Sequence, residues 1–511
     1  MSTDTLYAER TLAQPVTAPA KPDSAAETHS NPHHARRWWI LAVLGIAQLM
    51  VVLDSTVVSI ALPSAQHALG FSNSDRQWIV TAYALAFGSL LLIGGRLADV
   101  VGRKRVFLVG LGGFAAASAI GGAATSFTML VAARAVQGAF GALLAPAALA
   151  LLTTTFTEAK ERAKAFGIFG AIAGAGAAIG LLLGGILTEY ASWRSTLFVN
   201  LFFAGLAITG GALLLRHQAS EHRPKLDWPG TVSVSAGLFA LVYGFSHAET
   251  AGWGSSVTIG FLAVSAVLLA VFVRIQTRSR HPLLPLRVVI DRNRGGAFLA
   301  MFSAAAGMFA VFLFLTYYLQ TSLHYSAVMT GVAFLPMTGA LVIVAGTVST
   351  VLATRVSPRI LIPGGMFLAA VGMWVLTGIS LQTSYVSHIL PATLILGAGL
   401  GAVFSTGINL ATYGVDAEDA GVASASVNTM QQVGGSVGTA LLNTLAASAA
   451  GAYLATHAAR PAVAALAAVH SYTVTFWWSA GVFAAAAVVC AFLLRSGVPQ
   501  IDPDATLSVV G

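Results

Sequence analysis

Residues Leu49–Pro63 read LMVVLDSTVVSIALP, an apolar run interrupted in its middle by one carboxylate, Asp54. The run lies within an apolar stretch from 38 to 64, long enough to cross the roughly 30 Å hydrocarbon core of a bilayer as a helix. A charge at that depth costs several kcal/mol unless it is neutral, paired or wetted, so an intramembrane acid marks function by default. What Asp54 can do depends on how many such spans surround it and on which other charges share its depth.

Of the 511 residues, 56% are hydrophobic and only 9% charged, against about 25% charged in soluble domains, so the chain reads as a membrane protein. The net charge of +8 does not point to nucleic acid, because the basic residues are scattered through short segments between apolar runs. Cys490 is the single cysteine, which excludes an intrachain disulfide and a thiolate metal cluster. Residues 1–37 are polar and aperiodic and predict a disordered cytoplasmic tail. The first apolar run is too long for a signal peptide and is followed by many more.

Fourteen runs are long enough to span, near 38–64, 76–96, 104–124, 127–152, 163–188, 195–215, 230–248, 256–274, 296–320, 328–352, 360–380, 388–412, 421–446 and 471–494. With the N-terminus inside, 23 of the 27 Lys and Arg fall in inner segments and 3, Arg76, Arg194 and Arg460, in outer ones. That asymmetry places both termini in the cytoplasm. GRLADVVGRKR (Gly95–Arg105) and TVLATRVSPRI (Thr350–Ile360) share Leu-Ala and a basic turn at an offset of 255 residues. The second and third spans then correspond to the tenth and eleventh, giving a plan of six, two and six helices, the repeat construction of many secondary transporters. The expected divisions are a tail at 1–37, a six-helix bundle at 38–215, a linker with two extra spans at 216–295, a second bundle at 296–495 and a C-terminal tail at 496–511.

No phosphate-binding Gly-rich loop ending in Lys-Ser or Lys-Thr is present, nor His-Glu-x-x-His, so ATP-driven transport and metalloprotease chemistry are not indicated. No ring of like charges suggests a channel filter. Of nineteen acidic residues, Asp54 lies well inside a span, and the deep basic residue is Arg134. At 1.5 Å per residue, Asp54 sits about 14 Å and Arg134 about 11 Å below the outer ends of their helices. Two opposite charges at similar depth can form a static pair or a proton site. A carboxylate in hydrocarbon favours its neutral form and one beside a guanidinium its charged form, so a movement that changes either loads or releases a proton. In GGRLADVVGRKR, Gly94 and Gly95 permit close helix approach and Gly102 a tight turn. The basic trio Arg103, Lys104 and Arg105 anchors the inner face, whereas Asp99 adds nothing to anchoring and suggests a charged latch.

These segments resemble the major facilitator superfamily, and within it the fourteen-helix drug:proton antiporters. LDSTVVSIALP resembles the first-helix signature, with Ser59 where Asn is usual. GGRLADVVGRKRV resembles the loop motif between the second and third helices. LVAARAVQGAFGALLAPAALALL (Leu130–Leu152) resembles the fourth-helix motif, and GAIAGAGAAIGLLLGGIL (Gly170–Leu187) the antiporter motif of helix five, with Leu181 where proline is usual. SWRSTLFVNLFFAG (Ser192–Gly205) resembles the connection into helix six.

The resemblance implies an all-α membrane protein of fourteen helices in the 6+2+6 facilitator fold, in a bacterial cell membrane. It implies export of hydrophobic or cationic small molecules in exchange for protons, without a cofactor, metal or nucleic acid and as a monomer. The rival on the same fold is a proton-coupled symporter or exporter of one metabolite. Asp54 and Arg134 would couple the proton. Gly95, Asp99, Gly102, Arg103 and Lys104 would form the inner gate, and Gly180, Gly184 and Gly185 a helix-five hinge. Gln48, Tyr83, Tyr317, Asn409, Asn428 and Gln431 are candidates for the substrate cavity.

Overall fold

The computed structural model describes residues 36–497 except 73–74, 157, 216–226, 280–281, 285, 354, 414, 416–419 and 458–460. Both tails, and the side chains of Asp99 and of several residues in the first half of the fifth helix, lie outside the described set. The helices are α1 (Arg37–Leu69), α2 (Gln77–Val101), α3 (Arg103–Gly122), α4 (Phe127–Thr155), α5 (Ala159–Tyr190), α6 (Ser195–Leu214), α7 (Trp228–Ala251), α8 (Ser256–Arg278), the one-turn α9 (Leu286–Ile290), α10 (Arg292–Tyr317), α11 (Ala327–Thr347), α12 (Pro358–Leu376), α13 (Leu390–Thr412), α14 (Ala420–Thr456) and α15 (Pro461–Leu493). Apart from α9 these are the fourteen expected spans. Twelve contain long apolar windows, and shorter apolar helical segments lie at Trp78–Leu91 in α2 and Ala178–Tyr190 in α5.

Local chemistry sets the boundaries. Gly102 joins α2 to α3 as a one-residue turn at φ +107°, and Gly70 ends α1 at φ +67°, both backbone conformations that glycine adopts without a Cβ penalty. Ser126, Ser326 and Ser357 cap α4, α11 and α12 by accepting backbone N–H bonds, which satisfies donors that a helix start leaves open. α1 runs a turn past Pro63, because a proline removes a single donor and leaves the next turn able to continue. Single π turns extend α10 (Tyr318–Ser322) and α11 (Val348–Leu352) and lead into α13 (Tyr385–Ile389).

α1–α6 pack around one core that includes Leu44, Phe107, Phe114 and Phe156, and α10–α15 around another with Phe334, Met366, Met373 and Leu400, which also reaches Val58, Leu130, Leu181 and Leu197 of the first group. α7 and α8 form a hairpin whose first helix lies on α2 and α14. The two groups meet along α5 with α11 and α2 with α14, the pairs that an internal two-fold repeat would bring together. Helix starts repeat the offset: Arg37 and Arg292 open α1 and α10, Arg103 and Pro358 open α3 and α12, each 255 residues apart. Glycines let the backbones approach. A methyl at Gly94 would run into the Ala142 carbonyl, and one at Gly138 into that of Tyr83, so α2 and α4 touch at two levels.

Candidate functional site

α4 places Arg134 and Gln137 three residues apart, hence on one face, and α1 brings Asp54 against them. Asp54 is 0% exposed and Arg134 2%. Arg134 Nη1 lies 2.6 Å from Asp54 Oδ2. The other carboxylate oxygen, Oδ1, accepts from Gln137 Nε2 at 2.7 Å and from Asn200 Nδ2 of α6 at 2.7 Å. Ser118 of α3 backs both amides, accepting from Gln137 Nε2 at 2.8 Å and from Asn200 Nδ2 at 3.3 Å, while its own hydroxyl donates to the Phe114 carbonyl. The acid is therefore held by three donors from two helices. An ionised carboxylate only accepts, so each amide must turn its nitrogen toward it.

Arg134 is fixed as tightly. Its Nη1 also donates to Gln137 Oε1 at 2.5 Å, its Nε donates to the Ile79 carbonyl at 3.2 Å, and its guanidinium carbon stands 4.4 Å from the centre of the Tyr83 ring. The close approach at Gly138 sets Tyr83 there. Two charges taken out of water are tolerated when their lone pairs and protons are satisfied in this way. Chemically, the arrangement offers the charged form of one carboxylate a full set of donors.

Sequence reading brought Asp54 and Arg134 to one depth, and they meet. It gave no role to Ser118 or Asn200. Asn200 stands in LFVNLFFAG, where an amide in an apolar span is a weaker signal than a charge, since amides are common in membrane helices. Tyr83, a candidate for the substrate cavity, is buried over Arg134. Tyr317, another, is buried at the far end of α10, where its hydroxyl donates to Gln66 Oε1 at 2.7 Å. Gln48, Asn428 and Gln431 are half-buried on α1 and α14, Gln431 reaching the Met301 sulfur at 3.7 Å, and Asn409 is exposed on α13.

At the basic end, Gly95 faces Pro146 of α4 and Gly102 forms the turn. Lys104 Nζ donates to the carbonyls of Ala212 and Leu215, capping the C-terminus of α6 with a cation. Arg103 is half-buried, and the side chain of Asp99 lies outside the described residues. α5 is unbroken through its glycines. Gly180 admits Thr56, Gly184 the Val57 backbone and Gly185 the backbone of Ala327 and Val328 on α11. Leu181, which unlike proline keeps its N–H, is fully buried, and its carbonyl faces Gly331 of α11.

The opposite end carries a clasp between the two groups. The Arg76 guanidinium lies 4.1 Å from the Tyr317 ring centre and 5.7 Å from that of Phe314. Gln320 donates to the Ile60 carbonyl at 3.1 Å, and Glu189 accepts from the Val328 N–H at 3.0 Å. These contacts tie the two groups together at this end.

Residues 44–439 match the model of the Major Facilitator Superfamily. The chain belongs to that superfamily. It is 48% identical to the puromycin resistance protein pur8 of Streptomyces alboniger, over 93% of this chain and 94% of that one. It is 40% identical to the cephamycin export protein CmcT of Amycolatopsis lactamdurans over 79% and 83% of the two chains. With the tetracenomycin C resistance and export protein of Streptomyces glaucescens it shares 36% over 84% and 80%. Among solved structures, an auto-inhibited POT family peptide transporter superposes with a TM-score of 0.65 at 15% identity, over 91% of this chain and 98% of that one, which shows the shared fold. The chain is thus a multi-pass membrane transporter of the facilitator fold, related to bacterial antibiotic exporters, and not an enzyme.

Proposed function

We propose that this transporter exports small hydrophobic or cationic antibiotics in exchange for protons, and that Asp54 carries the proton. The observation behind this reading is the buried Asp54–Arg134 pair, held at 2.6 Å inside the first six-helix bundle. Protonating Asp54 removes its charge and with it the attraction to Arg134. The buried guanidinium is then left with Gln137, the Ile79 carbonyl and the Tyr83 ring as partners, and an uncompensated buried charge favours a rearrangement of α1 against α4. Names of relatives that mention puromycin, cephamycin and tetracenomycin C support a compound of antibiotic type.

With the basic end in the cytoplasm, the clasp of Arg76, Tyr317, Gln66 and Gln320 holds the bundles together at the outer face, and drug enters from inside. Arg103, Lys104, Gly95, Asp99 and Gly102 act as the inner gate, and Gly180, Gly184 and Gly185 are the contacts over which α5 slides on α1 and α11. The transporter works as a monomer, its two bundles rocking about a midplane site. The driving force suffices. A membrane potential of 100 mV supplies about 2.3 kcal/mol per charge, which sustains a roughly fifty-fold gradient.

The test is puromycin uptake into everted vesicles under an imposed proton gradient. Asp54→Asn is expected to abolish gradient-driven uptake while leaving the protein in the membrane at normal abundance. Uptake equal to that of the unmodified protein removes Asp54 from the mechanism.

A further inference from the structure

Between the ion pair and the outer face lies a narrow cavity with room for about one water molecule. It is walled by Val58 and Leu62 of α1, Leu130 and Arg134 of α4, and Trp193 and Leu197 around the start of α6. Every residue lining it belongs to the first six helices or their connections. The clasp and the seam between the two bundles take no part in it.

One polar atom of a lining residue stands without a protein partner among the described residues. Trp193 is 6% exposed, and its Nε1 is buried with no acceptor. A buried N–H left unmade costs about 1–3 kcal/mol, and such atoms in native proteins are commonly met by internal water. The cavity supplies a matching set. Trp193 and Arg134 can donate to one water, and Thr196, whose hydroxyl donates to the Trp193 carbonyl at 2.5 Å, can accept from it. Arg194 closes the top, lying 4.4 Å over the Trp193 ring and bonded to the Ala124 carbonyl at 2.8 Å.

We propose that Asp54 receives its proton from outside through this cavity, by a water held at Trp193 and Arg134, and not along the seam between the two bundles. The proposal rests on the proton-coupled reading above. The geometry also selects the atom. Oδ1 is occupied by two amides, whereas Oδ2 is held by Arg134, which itself lines the cavity. A hydrated proton there gives up its O–H bond to water as an O–H bond forms on Oδ2, and Arg134 relinquishes that oxygen in the same movement. No other reactant is required. While the pair is intact the fixed guanidinium repels an incoming proton, as a cationic side chain does in a proton-excluding pore, and the apolar walls of Val58, Leu62, Leu130 and Leu197 keep the path nearly dry. The titratable and charged groups that face the route are Asp54, Arg134, Tyr83 and, at its mouth, Arg194.

The full-length protein is reconstituted in liposomes with a pH-sensitive dye inside, and puromycin is the probe. Trp193→Phe keeps the ring and removes the N–H. It is expected to slow proton-driven puromycin transport at least fivefold while puromycin–puromycin exchange falls less than twofold. Leu130→Ser wets the wall and is expected to raise drug-free proton leak at least fivefold. If Trp193→Phe does not reconstitute, the leak through Leu130→Ser decides. Proton-driven transport and leak unchanged in both variants overturn the route. If wild-type transport ignores a protonophore, the coupling itself fails, whereas a protonophore-sensitive wild type with silent cavity variants loses the route and keeps the coupling.

Discussion

The two bundles share a plan but not a core. Applying the 255-residue offset that relates their helix starts, Asp54, Ser118, Arg134 and Gln137 correspond to Phe309, Met373, Ile389 and Ala392. Met373, Ile389 and Ala392 are 0% exposed, as deep as the residues they mirror. One bundle thus spends its centre on an ion pair with amide and hydroxyl support, and the other fills the same layer with apolar side chains. Among the described residues, the buried charged side chains are Asp54, Arg76 and Arg134, all in the first bundle. Since a facilitator bundle packs well without buried charge, as the second shows, the first keeps its pair for something other than packing. On the function proposed above, proton exchange would belong to one half, and the other would supply shape and closure.

The strongest test makes the first core resemble the second. Replacing Asp54→Leu and Arg134→Leu together is expected to leave thermal stability equal to or above that of the parent, because apolar side chains often replace a buried ion pair without loss. Proton-driven drug transport should then fall at least a hundredfold. Melting in detergent and vesicle uptake, measured on the same preparation, check the two halves of this statement. A double variant that still pumps against a gradient would erase the distinction between the bundles.

Breaking the pair on one side should be worse for stability than removing it. Arg134→Leu leaves Asp54 buried with the two amides but no cation, and the expected cost is about 3–5 kcal/mol. The double variant should melt well above this single one. If the single variant melts like the parent, Asp54 is already neutral or wetted in the resting protein.

The sequence made the fold legible because each span is a long apolar run, a signal that survives without knowledge of packing. It made Asp54 and Arg134 legible because a charge in hydrocarbon has few innocent explanations. Ser118 and Asn200 escaped since small hydroxyls and amides are ordinary in membrane helices, and only the convergence of α1, α3, α4 and α6 shows that they serve one carboxylate. Tyr83 and Tyr317 were legible as amphipathic residues but not as partners of Arg134 and Arg76. Apolar surface on every side of a membrane helix conceals which face points inward.

A third test probes the contact that positions Arg134. A methyl at Gly138 would strike the Tyr83 backbone carbonyl, so Gly138→Ala must push α4 from α2. The expected cost is about 1–3 kcal/mol, typical of overpacking, with transport reduced through displacement of Arg134. Gly339→Ala, in the second bundle with nothing within 4 Å of the added methyl, should melt within about 0.5 kcal/mol of the parent, the usual range for a substitution that meets no packing feature. Equal melting of the two variants would mean that α2 and α4 have room to adjust.

The smallest effect concerns the clasp, where the charged half meets the apolar one. Arg76 is 6% exposed and sits over Tyr317 and Phe314. A partly desolvated cation–π contact of this kind contributes about 1 kcal/mol, so Arg76→Ala should move the balance between closed and open outer faces about fivefold toward open. Arg76→Met separates charge from shape. A thioether can pack on both rings with a favourable sulfur–aromatic contact and has no charge to desolvate, so this variant should stay closed. Spin labels at His67→Cys and Thr321→Cys, in a Cys490→Ala background, report the distance across the clasp. His67 and Thr321 are exposed and Cys490 is buried, so the labels attach where they are wanted. A long-distance population that grows in Arg76→Ala and not in Arg76→Met places the closing force in the stacked contact. Growth in both variants would assign it to the charge, and the clasp would then owe its closure to the same bundle that holds the Asp54–Arg134 pair.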